Sequence, residues 1–423
     1  MKEYRLNSAV DIIGAFWPPD STKEFTTGSL SSQDDRLYFL GSPVFKTQLT
    51  DDELLKHFDE TFGSTGEWKQ IHTLHGQTRE GYCTLLDLVE HTADGLVDHA
   101  KRSEISAARW RVGSAIIGLH LGSDEAEALD GAAFYITKIK KLLPRAGGTR
   151  MTEEGITRIV PFKALQYFWF SSIELQTEVI CEIFARSENQ ESLPRIRLQP
   201  RTPKSVAWCW RIGPRLESFF TLFLGTSVAL KSVQLFQGEN IGWLVKRLRS
   251  RQEKIDYQSW VRCEGYQMAA ALANWLAVPV NHRPIEKVVL NMLRKSSLFV
   301  ETEFLGLAQA LEGFGRLRFE SDAKPKRLKF AEGIGQTYDL LSQDFASKLL
   351  GDRSTFISQV VQTRNYYTHL GIRKGTSAVD DGKDLFLLNQ RLHAFLRCVM
   401  LIDIGIPESA LREPILYQST RWK

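Results

Sequence analysis

The feature that most constrains this chain is a change of hydrophobic period along it. Up to about residue 200 the apolar residues come in short β-branched, aromatic or alternating runs. Examples are Arg36–Leu40, Arg109–Leu121, Phe134–Ile139 and Arg195-Ile-Arg-Leu198, with Gly, Ser, Asp or Pro between them. That pattern predicts strands joined by turns. From about residue 291 the spacing becomes three and four, with Phe304, Leu307, Ala308 and Leu311 on one side of a helix. The two patterns need different cores. The sequence therefore predicts an α+β protein, with a β-rich region over 1–290 and an all-helical bundle over 291–423.

Within that plan, Trp208 and Trp210 read as one side of a short strand, and Asp51–Phe62 as a helical or looped insertion. Leu216–Leu224, Ile241–Arg251 and Met268–Leu276 read as helices. The terminal bundle reads as four helices. They are Glu301–Phe319, then Ala331–Leu350, then a helix N-capped by Asp352 or Ser354 and running to about Leu370, then Leu385–Ile404 before Gly405 and Pro407.

With 43% hydrophobic and 25% charged residues over 423 positions, the composition is that of a globular protein and excludes a disordered or disulfide-scaffold chain. Five scattered cysteines fit reduced, buried thiols. The longest uncharged apolar runs, Ser218–Leu230 and Gln267–Val280, fall short of the roughly 20 residues of a bilayer span. No leader reads at Met1–Arg5. A cytoplasmic protein without a membrane partner is expected.

Charge is uneven: residues 1–190 are net −8, residues 191–300 net +10 and residues 301–423 net +2. In the basic middle, Arg195, Arg197, Arg201, Lys204, Arg211 and Arg215 interleave with Trp208 and Trp210, and Lys246 and Arg247 gather on the stretch Ile241–Arg251. Phosphate contacts and base stacking would use such a set, which makes it a candidate RNA-binding surface; an ordinary solvated basic face is the alternative.

The densest chemistry lies in Gln362-Thr-Arg-Asn-Tyr-Tyr-Thr-His-Leu-Gly371. Arg364 continues the apolar stripe of Ile357, Val360 and Val361, a costly place for a cation unless it pairs or lines a wet cleft. Asn365 and His369, four apart, can touch. An imidazole that titrates near neutrality can move the proton of a 2′-hydroxyl or of a leaving 5′-oxygen, and a guanidinium can hold phosphate oxygens. Asn365 would orient the ring or the substrate. Glu312 on the first bundle helix is a further candidate, although Arg316 four residues on would make a routine surface pair.

No metal site is expected. His72-x-x-His75 has no matching pair, and His91, Asp94, Asp98 and His99 fit no standard spacing. Gly313-x-Gly315 and Gly333-x-Gly335 fail the dinucleotide fingerprint, and no phosphate-binding loop or nucleophile elbow reads elsewhere, so no cofactor is expected.

Arg364-Asn365-Tyr-Tyr-Thr-His369 resembles the Arg-x4–6-His signature of HEPN-domain ribonucleases. Phe304-Leu-Gly-Leu-Ala-Gln-Ala-Leu-Glu312, Gly405-Ile-Pro407, Gly14-Ala-Phe-Trp17 and Thr27-Gly-Ser-Leu30 resemble the ApeA-like branch of that family. The resemblance implies an anti-phage defence protein whose β-rich part senses a phage-derived trigger. It implies metal-independent cleavage of RNA, with tRNA as the target suggested by related domains, and growth arrest or abortive infection as the result. It also implies a homodimer through the C-terminal bundle, with Arg364 on phosphate and His369 as acid or base. The alternative is a non-catalytic HEPN-like dimerisation or nucleotide/RNA-binding scaffold.

Overall fold

The computed structural model describes residues 4, 6, 8–19, 25–33, 36–41, 70–92, 108–122, 128–139, 160–162, 165–169, 179–186, 195–200, 202–246, 260–263, 265–277, 283–294, 299–320, 328–369, 376–380 and 382–420. The Asp51–Phe62 insertion and the Asp94, Asp98 and His99 cluster lie outside them. The fold is α+β, with an N-terminal barrel and sheet and a C-terminal helical bundle. The chain forms two compact units, one from residues 1–137, 178–213 and 230–251, the other from 138–177, 214–229 and 252–423.

The strands of the first unit are β1 (Asp11–Trp17), β2 (Thr26–Gln33), β3 (Arg36–Gly41), β4 (Gln70–Thr78), β5 (Gly81–Thr92), β6 (Ala108–Ile117) and β7 (Gly131–Ile136). In the second unit β8 (Val160–Phe162) and β9 (Leu165–Trp169) pair as a hairpin. Strands β10 (Val179–Arg186), β11 (Arg195–Pro200), β12 (Leu230–Gln237) and β13 (Asn240–Val245) return to the first unit. There the antiparallel order β3-β2-β1-β4-β5-β6 closes on itself, because β3 also pairs with β6 from Leu37↔Val112 to Gly41↔Ala108. The far end of β6, Ala115–Ile117, pairs with β13, and the sheet continues β13-β12-β7-β11-β10.

Glycines make the barrel interior possible. Gly14, Gly28 and Gly41 lie opposite one another across β1, β2 and β3. A Cβ on Gly28 would stand 2.4 Å from the Phe39 ring, and one on Gly76 would stand 2.6 Å from the Phe16 ring. The missing side chains admit these two rings, whose centroids meet edge to face at 4.7 Å. Leu30, Leu37, Leu74, Leu85, Trp110 and Val112 complete the core around them. At one end of the barrel two histidines clasp the chain: His75 Nε2 bonds Leu121 O at 2.8 Å, His120 Nε2 bonds Gly76 O at 2.9 Å, and their rings stack at 4.5 Å.

Two local expectations are corrected here. Trp208 and Trp210 lie on a helix, α1 (Val206–Leu224), not on a strand. Ser205 at its start accepts the Trp208 N–H, and Val206, Cys209, Leu216, Phe219, Phe220 and Phe223 are buried at helical spacing, which outweighs the strand preference of tryptophan. The stretch from Ile241 is strand β13 rather than helix, because Gly238 at φ 56° turns the chain into a hairpin with β12.

The helices that follow are α2 (Gly265–Ala277), α3 (Arg283–Arg294), α4 (Val300–Phe319), α5 (Phe330–Tyr338), α6 (Gln343–Leu350), α7 (Arg353–Thr368), α8 (Gly382–Asp403) and α9 (Glu408–Thr420). The expected helix Ala331–Leu350 is thus two helices. Glu408 explains the break: its Oε2 and Oε1 accept the Ser342 N–H and O–H, both at 2.7 Å, and hold the turn open. Helix α9 is a further helix that the sequence reading did not expect. By length and composition α8 could cross a bilayer, but 72% of its apolar window is buried inside the bundle, where it is the central core helix. It packs against α4, with Leu385, Leu388, Leu392 and Val399 of the one and Phe304, Leu307 and Leu311 of the other buried, and its Phe395 ring meets that of Phe356 edge to face at 5.9 Å.

One buried network locks this unit. Arg397, with no exposed surface, donates from Nε to Leu222 O (2.6 Å), from Nη2 to Phe223 O (2.9 Å) and from Nη1 to Gln418 Oε1 (2.8 Å). Its charge sits on the last carbonyls of α1, where the helix dipole favours a cation. Gln418 Nε2 in turn donates to His393 Nδ1 at 3.0 Å, which leaves the His393 Nε2–H to donate to Val289 O at 3.1 Å. Gly225, at φ 63°, lies against Arg397, and a Cβ there would stand 2.6 Å from Nη1.

Candidate active site

Helix α7 is built to start sharply and to carry a narrow apolar stripe. Asp352 caps it: its Oδ1 accepts from Ser354 Oγ (2.7 Å) and from Thr355 N (2.8 Å), and these bonds hold its carboxyl down at about 2. Only Phe356, Val360 and Thr363 are fully buried. Ile357 and Val361 are half-buried, so Arg364 flanks the stripe instead of continuing it. At about 100° per residue, Asn365 and His369 fall opposite the buried stripe, and both are exposed. Thr363 Oγ1 accepts the Val379 N–H at 2.9 Å and Gln362 Oε1 accepts the Ser377 N–H at 2.8 Å, tying segment 376–380 to the same helix.

Helix α4 supplies the acid. Gly315 lets α4 and α5 approach closely, since a Cβ on it would stand 3.3 Å from the Gly333 Cα. The two glycine pairs that failed the dinucleotide fingerprint thus serve helix packing. Glu312, with 18% of its side chain exposed, accepts from Arg316 on Oε1 and from Arg364 Nη2 on Oε2, the latter at 3.4 Å. The Arg364 guanidinium also lies 5.4 Å from the centre of the Phe330 ring, at the start of α5.

The structure therefore brings Glu312 and Arg364 together and places Asn365 and His369 on the adjoining outer face of α7. The His369 N–H donates to Asn365 O at 3.0 Å, which closes the helix, while the imidazole and the Asn365 amide have no partner among the described residues. Behind them Tyr367 packs 6.2 Å from Phe304 and 5.0 Å from Tyr366, and burial, with Glu301 nearby, raises its phenol above the usual range. Chemically this is an imidazole and an amide without side-chain partners among the described residues, on the outer face of α7, and a guanidinium held by one long bond at the edge of that face. Such a set can bind an anion and move a proton.

The basic residues of the middle region fall in the first unit. Arg195 Nη1 donates to Gln234 Oε1 at 2.7 Å and to Tyr135 Oη at 3.0 Å, and Arg197 lies 4.8 Å from the Phe236 ring centre. Lys204 Nζ donates to Thr202 Oγ1 at 2.9 Å, and Lys246 stands 4.4 Å over the Trp210 ring. Arg201 and Arg247 lie outside the described residues. Three cysteines serve packing: burial pushes the Cys83 thiol up to about 12 and raises those of Cys209 and Cys398 as well. Sequence reasoning gave Arg316 only a routine pairing and overlooked Phe330; the i, i+4 spacing from Glu312 was the one available signal for the first.

A family model described as ApeA N-terminal domain 1 matches residues 11–260, more than half of the chain, and one described as Apea-like HEPN matches residues 305–410. The chain belongs to the ApeA family. Neither the curated proteins nor the solved structures yielded a match. The HEPN match spans Glu312, Arg364, Asn365 and His369, and it marks the chain as a member of an anti-phage defence nuclease family.

Proposed function

We propose that this protein is a defence endoribonuclease that cleaves RNA without a metal, at Arg364, Asn365 and His369 of the HEPN domain. The carrying observation is that Asn365 and His369 are exposed on α7 with no side-chain partner among the described residues, while the half-buried Arg364 of the same helix meets the acid Glu312 through one bond at 3.4 Å. Arg364 holds the scissile phosphate, and Asn365 orients the substrate beside it. The 2′-oxygen attacks phosphorus, the bond from phosphorus to the 5′-oxygen breaks, and His369 carries a proton from the one oxygen or to the other. The products are a 2′,3′-cyclic phosphate and a 5′-hydroxyl.

One copy offers a single imidazole on an open face. A homodimer that joins two such faces through the bundle supplies a base and an acid at once and excludes water from the phosphate. The β-rich unit restrains this site in the cytoplasm until a phage-derived trigger arrives, and cleavage of host RNA, with tRNA the first candidate, then arrests growth. The experiment is expression at matched levels with and without phage challenge. Protection or toxicity lost in both Arg364→Ala and His369→Ala supports the enzyme. Protection retained in both assigns the domain to a binding scaffold instead.

A further inference from the structure

We infer that Arg316 is a second phosphate-binding residue of this site, taking the phosphate next to the one held by Arg364, so that the site grips a strand rather than an isolated phosphodiester. The inference rests on the proposal that the site handles RNA. Its basis is the way Glu312 is shared. One carboxylate oxygen faces Arg316 from the same helix, and the other faces Arg364 from α7, fifty-two residues away in sequence. The two guanidiniums are therefore neighbours across the α4–α7 junction, and one negative charge sits between two positive ones. With Glu320 also 3.9 Å from Arg316 the charges of the cluster balance, and what the two guanidiniums offer an incoming strand is N–H donors that no protein oxygen among the described residues uses.

Two other surface arginines of the unit are held differently. Arg353 makes two bonds to Asp339, at 2.8 and 2.7 Å, and Arg412 makes two to Glu408, at 3.0 and 2.7 Å. Those are bidentate forks, each closed on a carboxylate of its own. Arg316, with 30% of its side chain exposed, has one hydrogen bond among the described residues, and its Nε stands 3.9 Å from Glu320, too far for another. Arg364, with 35% exposed, has one long bond. Partial engagement of two adjacent guanidiniums on an accessible surface is what binding two successive phosphates requires.

The test measures binding of a fluorescent single-stranded RNA oligomer to the full chain carrying His369→Ala, so that binding is read without turnover. Arg316→Ala, and Arg316→Gln, which keeps a donor for Glu312 without the charge, are each added to it. The expected result is about tenfold weaker binding for both. The slope of log affinity against log salt should fall by about 0.7, and Arg316→Lys should restore part of both. In protein with His369 intact, KM should rise while kcat at saturating RNA changes less than threefold. Unchanged binding with a lost kcat would overturn the inference and make Arg316 a positioning residue for Glu312. If the parent binds RNA as described but cleaves none, the cleavage reading fails and the phosphate contact stands. If it binds no RNA, both fall.

Discussion

The helical unit contains two arginine–histidine constellations that differ in one respect, and the difference separates architecture from chemistry. Around Arg397, every participant is buried and satisfied: Nε, Nη1 and Nη2 each meet an oxygen, Gln418 uses both ends of its amide, and His393 is held with its proton on Nε2. Around Arg364, the guanidinium has one hydrogen bond among the described residues, at 3.4 Å, and Asn365 and His369 are exposed with no side-chain partner among them. A saturated buried polar network fixes a fold, because removing any member leaves the others unpaired in a low dielectric. An unsaturated exposed one contributes little to stability and is available to a ligand.

That contrast can be broken experimentally, starting with the largest effect. His369→Ala should lower RNA cleavage by about 10²–10⁴-fold while moving the unfolding midpoint of the protein hardly at all; loss of folding along with activity would place His369 in the architecture. Arg397→Ala should do the reverse. It strands the Leu222 and Phe223 carbonyls and Gln418 Oε1, a cost of about 3 kcal/mol or more in stability, which urea denaturation will read. A variant as stable as the parent would show that the network is dispensable.

Glu312→Gln is the finer cut. It keeps the shape and one acceptor but removes the charge that draws Arg364 and Arg316 together, so activity should fall about tenfold with folding intact. Activity equal to the parent would remove Glu312 from the site. The smallest effect concerns the first unit. Burial is the main reason that the His120 imidazole titrates below its ordinary range, and His75 alongside adds to the effect; the bond to the Gly76 carbonyl opposes it. The folded state therefore favours the neutral ring, and the unfolded chain takes up its proton first as pH falls. Stability should decline as pH drops below about 6.5. His120→Phe, which keeps a ring in the stack, should flatten that decline in a thermal melt taken at several pH values.

How far the sequence reached depended on the range of the interaction. The period change, the cap at Asp352 and the i, i+4 neighbours Glu312 and Arg316 are local, and each is readable from spacing alone. The Arg364–Glu312 pair joins helices fifty-two positions apart, and residue types could only suggest it. Closure of the barrel through β3 and β6 and the Arg397 bonds to Leu222 and Phe223 are long-range and carry no local mark. Trp208 and Trp210 misled because bulky aromatics favour strands on average, whereas the buried spacing from Val206 to Phe223 decides for a helix. The break at Asp339–Ser342 depends on Glu408, far along the chain, and no local propensity in Ala331–Leu350 announces it.

The most direct test of the account is to incubate the purified protein, and its phage-triggered form, with total cellular RNA in EDTA beside His369→Ala at matched concentration and folding. The account predicts cleavage by the parent alone, with fragments ending in 2′,3′-cyclic phosphate and beginning with 5′-hydroxyl. Equal cleavage by both proteins, or none by the triggered parent, would contradict it.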